Sequence, residues 1–292
     1  MKRKSMELKV GQVVFELQEH HDFQWLQELG TVFCVFDQQD SGNISFGVER
    51  SGIKQFVKYA GSRPIGFSGD PIDAITRLKA AMPLYTNLNH PHLINLVNHY
   101  ETKAGFVAIF EWFDGECLHS HWLYAGKLKY THPQSPFFRF KQLPLEKRLK
   151  SLDAIFEFHH FVESRGYVAV DFYDGSILYN FSEDRTKICD IDFYRLAPSV
   201  NDMGEHFWGA VRTKSPEEYI IGTTIDSKTN VYTMGAIAFG LIGGEMDHSL
   251  SKWEGSKSLY EVVVRAVSED REQRFQTVDS FKRAWDSARS GK

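Results

Sequence analysis

Two hydrophobic periods divide the chain, and the change falls near residue 115. Before it, short apolar runs are bounded by turn formers: Val32-Phe33-Cys34-Val35-Phe36, a turn at Asp40-Ser41-Gly42-Asn43, Ile44 to Val48, a Ser51-Gly52 turn, and Ile53 to Tyr59. This predicts three strands joined as hairpins, because β-branched and aromatic residues suit a pleated surface while Gly, Asn and Asp supply the turns. One helix follows. Asp70-Pro71 reads as an N-cap with proline at the first helical position, and Ile72, Ile75, Leu78 and Met82 recur at helical spacing until Pro83 ends or kinks it. Strands return at His92 to His99 and Phe106 to Phe110. After Gly115 the apolar period is helical, over Leu145 to Ser164, Val231 to Leu241, Leu259 to Val267, and Thr277 to Trp285 with Phe281 and Trp285 four apart. No internal repeat or low-complexity tract interrupts the pattern. The expected class is α+β, with a β-rich part over 1–110, a linker at Glu111-Trp112-Phe113-Asp114-Gly115 and a helical part over 116–292.

Composition adds limits. With 292 residues, 42% hydrophobic and 25% charged, the chain is long enough and apolar enough to bury a core. Its 34 basic and 38 acidic residues leave a net charge of −4, so no global field draws it to nucleic acid or to an anionic membrane, and any electrostatic partner is local. Cys34, Cys117 and Cys189 are odd in number and lie in apolar or strand-like sequence, which suits reduced thiols better than a disulfide frame or a zinc cluster. The basic start Met1-Lys2-Arg3-Lys4-Ser5 runs into Glu7 and Lys9 instead of an apolar segment, which argues against a secretory signal. The longest apolar stretch, Val231 to Gly244, falls short of the roughly twenty residues needed to span a bilayer. The expectation is a soluble cytoplasmic protein.

Three marks stand in order in the helical half: Val170-Asp171 with Ser176, then Cys189-Asp190-Ile191-Asp192-Phe193, then Ser215-Pro216-Glu217-Glu218. In order and spacing they resemble the H-R-D-L-x-x-x-N catalytic loop, the D-F-G metal site and the A-P-E helix start of protein kinases. Upstream, Gln55-Phe56-Val57-Lys58 resembles V-A-I-K, Leu88-Asn89-His90-Pro91-His92-Leu93 resembles the H-P-N-I phrase, and Gly42-Asn43-Ile44-Ser45-Phe46-Gly47 is a degraded G-x-G-x-x-G. Downstream, Asn230-Val231-Tyr232-Thr233-Met234-Gly235 looks like the D-x-W-S-x-G start of the central helix, and Gln273-Arg274-Phe275 like the late motif whose arginine pairs with the A-P-E glutamate. The resemblance runs over roughly residues 25 to 288; each motif is weak alone and their order is specific.

The resemblance implies a two-lobed protein-kinase-like fold, with a small β-rich N-lobe and a larger α-helical C-lobe around a nucleotide cleft. It also implies ATP- and magnesium-dependent phosphoryl transfer to a Ser or Thr hydroxyl of a polypeptide. Lys58 would contact the α- and β-phosphates, Gly42 and Gly47 would belong to the phosphate loop, and Asp171 would orient the attacking hydroxyl. Phe110 would guard the back of the adenine pocket, Glu111, Trp112 and Phe113 would offer backbone hydrogen bonds, and Cys189 would face the nucleotide. Asp190 or Asp192 would hold magnesium, with Ser176 at the second metal position. Strand alternation through Lys187-Ile188-Cys189 favours Asp190 as the ligand and Asp192 as helper, because choosing Asp192 would turn a charged Asp190 toward the core. The same frame predicts a buried Glu217–Arg274 ion pair and an exposed, tolerant Glu218.

Departures from the pattern carry the rival reading. The catalytic-loop His and Arg are Ala169 and Val170, the metal-binding Asn is Ser176, and the middle glycine of the loop is Ile44 with Asp40 nearby. The glutamate of the C-helix falls on Ala81, and the carboxylates between Gly69 and Tyr100 are Asp70 and Asp73. These favour a pseudokinase that serves as a binding scaffold; a small-molecule kinase is a third alternative. The adjacent pairs His20-His21 and His159-His160 point apart on any regular element and do not read as metal ligands. The basic and aromatic stretch Lys127 to Lys150 reads as a connecting loop with solvated charges and a few core anchors.

Overall fold

The computed structural model describes residues 5–291. The chain is mixed α and β, strand-rich in its N-terminal part and helical in its C-terminal part. It divides into two compact units, the first running to Asn89 and resuming over Ile94–Phe113, the second comprising His90–Leu93 and the chain from Asp114 onward.

In the first unit, β3 (Thr31–Phe36), β4 (Asn43–Arg50), β5 (Ile53–Ala60), β6 (Leu96–Thr102) and β7 (Gly105–Glu111) form one antiparallel sheet in the order β3-β4-β5-β7-β6. The expected strand from His92 is therefore displaced to Leu96, and residues 90–93 instead turn and bridge Ile188 in the second unit through Leu93. Alternation divides the sheet's side chains. Phe46, Val57, Tyr59, Val107 and Ile109 build one core face together with Phe15, Leu17, Phe23 and Leu26. The rings of Phe15, Phe23 and Phe46 meet edge to face at 5.3–5.5 Å, each pair adding about 0.5–1.5 kcal/mol beyond its burial. Most of this cover comes from a hairpin of β1 (Met6–Val10) and β2 (Val13–Leu17) turned at Gly11, and from the short helix α1 (Leu26–Leu29). Both precede the first strand anticipated from the sequence, although the hairpin's alternation is visible there.

Helix α2 (Pro71–Asn87) starts as expected, with the Asp70 carboxylate accepting the Ile72 N–H at 2.9 Å. It runs on past Pro83, and of the expected apolar positions Leu78 and Met82 are buried and Ile75 is half-buried. Its buried residues are Ala74, Leu78, Ala81, Met82 and Tyr85, while Ile72 is 67% exposed. Burying Met82 and Tyr85, whose ring meets Phe110 at 4.8 Å, offsets the roughly 3 kcal/mol that proline costs inside a helix.

The second unit is built on α5 (Leu145–Ser164), α6 (Ser227–Ile242), α7 (Lys257–Ala266) and α8 (Val278–Ser290), with α3 (Leu128–Thr131) and α4 (Pro136–Lys141) before them. Helix α6 is buried on nearly every face. Phe156 of α5 takes Phe281 and Trp285 of α8 edge-on at 5.0 and 5.1 Å, and the Trp285 indole donates to Asp153 at 3.2 Å. Short strands knit the loops: β8 (Glu116–Cys117) and β11 (Arg185–Ile188) flank β10 (Ile177–Asn180), β9 (Tyr167–Val168) pairs with β12 (Arg195–Leu196), and β13 (Ser199–Val200) pairs with β14 (Thr224–Ile225). Among the described residues no helix is long and apolar enough to cross a membrane.

Candidate active site

Helix α5 hands the chain to the loop that carries Asp171. Gly166, at φ 80°, turns it out of the helix, and β9 then pins it to β12. From α6, the Asn230 side chain clamps the same stretch, accepting the Ala169 N–H at 2.8 Å and donating to the Tyr167 carbonyl at 3.3 Å. Val170 and Phe172 are both buried, Phe172 lying 4.2 Å from the His159 ring. Between them Asp171 is only half-buried and takes the left-handed backbone at φ 64°. Such a conformation costs a non-glycine residue free energy and is tolerated best by Asp and Asn.

The loop continues through a single turn, Asp174–Ser176, into the β10/β11 hairpin, where Ile177 faces Ile188. At the hairpin's open end the Cys189 N–H donates to the Ser176 carbonyl at 2.9 Å, so the two candidate residues are adjacent. The thiols of Cys117 and Cys189 both approach the Gly175 carbonyl, at 3.3 and 4.0 Å. Burial pushes the Cys117 thiol up to about 12, which keeps it protonated. Asp190 follows, exposed and left-handed at φ 56°, while Ile188 and Ile191 are wholly buried and Asp192 is half-buried. Strand alternation ends at Cys189, since the buried Ile191 stands between the two carboxylates. Burial, with the Asp171 and Asp190 carboxylates next in weight, raises the Tyr173 phenol; burial and the same two carboxylates raise Tyr194. Asp171 and Asp190 thus act on the same two side chains. Tyr194 is held by His159, whose Nδ1 donates to Ile155 and whose Nε2 accepts from the Tyr194 hydroxyl, each at 2.8 Å. Burial lowers His159 to about 3, so the ring stays neutral and serves as a core residue.

Ser176 is 1% exposed, and its hydroxyl oxygen has no hydrogen-bond partner among the described residues. The magnesium-nucleotide site that the resemblance implies would draw on this serine and on Asp190. Magnesium in such sites takes one or two carboxylates and completes its shell with phosphate oxygens and water. No group of three or more His, Cys, Asp or Glu placed to hold a metal occurs among the described residues.

The other candidates lie in the first unit. Lys58 sits in the middle of the sheet, on β5 between Ser45 of β4 and Ala108 of β7, and is half-buried. Packing accounts for both glycines of the expected phosphate loop. A Cβ on Gly42, at φ 85°, would stand 2.7 Å from the Phe67 ring and 2.8 Å from Ala74, and one on Gly47 would stand 2.5 Å from Cys34 Sγ and the Phe33 ring. Gly47 lies well inside β4, paired with Cys34 and Phe56. Phe110 is buried against Tyr85 and Phe56. The Glu111 N–H donates to the Asn95 carbonyl at 3.0 Å, Trp112 lies edge-on to Phe33 at 4.9 Å, and Phe113 closes the first unit.

The expected ion pair is present. Arg274 Nη1 and Nη2 donate to the two Glu217 oxygens at 2.7 and 3.0 Å, both side chains are buried, and Thr229 adds a third bond at 2.9 Å. Burial works to raise the Glu217 carboxyl, and the guanidinium overcomes it and holds the group below its usual range. The neighbour Glu218 corrects the sequence reading. It is buried, because it folds back to accept the Ser215 N–H and hydroxyl at 2.7 and 2.8 Å in a capping box, and burial lifts its carboxyl to about 7. The basic stretch from Lys127 is corrected too. Lys129 and Arg148 are buried, Lys129 between Asp174 and Glu245 at 2.7 and 2.8 Å, and Arg148 on Glu254. Cationic residues at helical spacing give no sign of which will be buried; the distant acids decide it. No protein-family model matches this chain, and no curated protein matches it at a significant level.

Proposed function

We propose that this chain has a protein-kinase-like fold and transfers phosphate from magnesium-bound ATP to a Ser or Thr hydroxyl of a polypeptide. The observation that carries the reading is the pair Asp171 and Asp190. Both are held in left-handed backbone, both act on Tyr173 and Tyr194, and both lie close along the chain to Ser176 with its orphaned hydroxyl. In this reading Asp190 holds the magnesium, with Asp192 as helper and Ser176 at the second position. Bound magnesium would supply charge neutralisation at the phosphates. Lys58 sets a point charge against the α- and β-phosphates, and Asp171 accepts and orients the proton of the attacking hydroxyl. The Glu217–Arg274 pair and the Asn230 clamp support the protein-kinase branch over small-molecule kinases, because they fall at the stations where that branch carries them.

A specific observation supports a second reading, a scaffold that binds a partner without turnover. Ala81, at the glutamate position, is buried in α2, and Gly42 and Gly47 are packed against side chains. A thermal-shift titration separates the two. Millimolar ATP with magnesium should stabilise the protein by RT ln(1+[L]/Kd), about 2.7 kcal/mol at a hundredfold excess over Kd, and be followed by measurable phosphate transfer. Lys58→Met and Asp190→Asn should each abolish the shift while leaving the ligand-free melting temperature within a few degrees. No shift with the wild-type chain overturns the phosphotransferase reading and leaves the scaffold; Asp192→Asn damaging while Asp190→Asn is silent reverses the metal assignment.

A further inference from the structure

We propose that Arg212 is a positioning residue that fixes the 195–215 segment permanently to the loop carrying Asp171, so that no phosphate on that segment is needed to order it. This rests on the phosphotransferase reading for its meaning, and on side-chain geometry for its support. Asp174 lies three residues beyond Asp171 and is buried. Arg212 donates to its Oδ1 from Nε at 2.9 Å and also from Nη2, while Lys129 stands 2.7 Å from its Oδ2. Glu245 completes the knot. It accepts from Lys129 at 2.8 Å and from the Tyr130 hydroxyl at 2.6 Å, and lies 3.6 Å from Arg212 Nε. Two cations and two carboxylates therefore balance, and they join the Asp171 loop, α3, the 195–215 segment and the turn after α6.

A buried pair like this persists only when each charge is matched, since desolvating an unmatched ion costs several kcal/mol. Burial works to raise the Asp174 carboxyl and to lower Lys129 and Arg212, yet the mutual attraction wins and all three remain charged. Two residues on, the buried Lys214 ties the segment to itself, donating to the Phe207 carbonyl at 2.8 Å and to that of Glu205 at 3.3 Å, and it feels the Glu218 and then the Asp171 carboxylate.

The alternative, ordering by an added phosphate, lacks the usual reader on the Asp171 loop and has a single accessible acceptor. The loop offers Ala169-Val170 where a phosphate-reading arginine would stand. From Arg195 to Ser215 the hydroxyl side chains are Ser199, Thr213 and Ser215. Thr213 is buried and donates to the Ala210 carbonyl at 3.2 Å, and Ser215 is fully buried in the capping box with Glu218. Only Ser199, half-buried in β13, is left to accept a phosphate without unfolding its surroundings.

The test is hydrogen–deuterium exchange on the full chain, read over peptides from 195–215, with casein phosphorylation as a parallel assay. Treatment with a broad-specificity Ser/Thr phosphatase should leave the wild-type exchange unchanged. Arg212→Gln should speed exchange over 204–214 at least tenfold with α5 and α8 unaffected, and Arg212→Lys should recover part of the protection. In the transfer assay Arg212→Gln should raise KM for casein at least fivefold with KM for ATP unaltered. Protection lost on phosphatase treatment, exchange unchanged in Arg212→Gln, or loss spread equally through α5 and α8 would overturn the proposal. A wild-type chain that transfers no phosphate to any acceptor sinks the phosphotransferase reading instead, and the exchange arm still decides whether Arg212 holds the segment.

Discussion

Asp171 and Asp190 occupy backbone that most residues avoid, at φ 64° and 56°, and the surrounding chain holds each one there. For Asp171 the hold is the Asn230 clamp on one side and the buried pair Val170 and Phe172 on the other. Asparagine tolerates left-handed backbone as well as aspartate does, so Asp171→Asn removes the proton acceptor without unseating the loop. On the proposed reading, turnover should fall by two orders of magnitude or more with nucleotide affinity unchanged, because the carboxylate matters chiefly in the transition state. A variant that transfers phosphate at the wild-type rate would refute the assignment. At this scale the sequence is partly legible. The spacing of Asp171, Ser176 and Asp190 locates all three on one stretch, since a loop and a tight hairpin leave the chain little freedom. Asp174 escapes notice, because its importance comes from Lys129 and Arg212, forty-five residues before it and thirty-eight after it. Glu218 misleads for a similar reason: a charge beside a charge reads as solvent-facing, and only the closure of the capping box onto Ser215 shows otherwise.

Elements are more legible than residues. Helix α5 spans Leu145–Ser164 as its period predicts, because twenty residues average out local exceptions. The first hairpin alternates visibly yet lies before the first strand anticipated, and α2 passes through Pro83 because packing outweighs a local preference. The longest-range element contact inferred from sequence, Glu217 with Arg274, joins the turn at Pro216 to the stretch before α8 across 57 positions. Removing one partner strands a buried charge, so Glu217→Ala or Arg274→Ala should each cost roughly 3–5 kcal/mol in chemical denaturation. The double variant should lose much less than the sum. Additive losses would mean that the pair contributes through packing alone. Thr229 and the backbone carbonyls of Ser268 and Lys228 also bind the pair, so some coupling should survive in either single variant.

Summed over the chain, the buried titrating groups set how stability follows pH, and they pull in opposite directions. His159 is held down to about 3 and His119 to about 4, burial being the main cause in both. Their contribution is complete above the unfolded value of 6.5 and is lost as pH falls toward those folded values, because the unfolded chain takes up the protons first. Glu218 runs the other way. Raised from 4.5 to about 7, it contributes fully below 4.5 and loses that contribution as pH rises through 7, when a buried carboxylate must ionise. Between 6.5 and 4.5 the glutamate gain should therefore offset only part of the histidine loss, two imidazoles outweighing one carboxyl. Glu218→Gln keeps an acceptor for the Ser215 N–H and removes the proton, so acidification should destabilise it more steeply than the wild type. The gap between the two should change by up to about 3 kcal/mol over pH 4.5–7, since each tenfold difference in proton affinity between the folded and unfolded chain is worth about 1.4 kcal/mol. His159→Phe should flatten the acid limb instead, whatever it costs in the Tyr194 hydrogen bond. Urea denaturation of the three proteins at half-unit pH steps reads both slopes. Parallel profiles for wild type and Glu218→Gln across that range would mean that Glu218 is already ionised there and that the Ser215 bonds outweigh its burial.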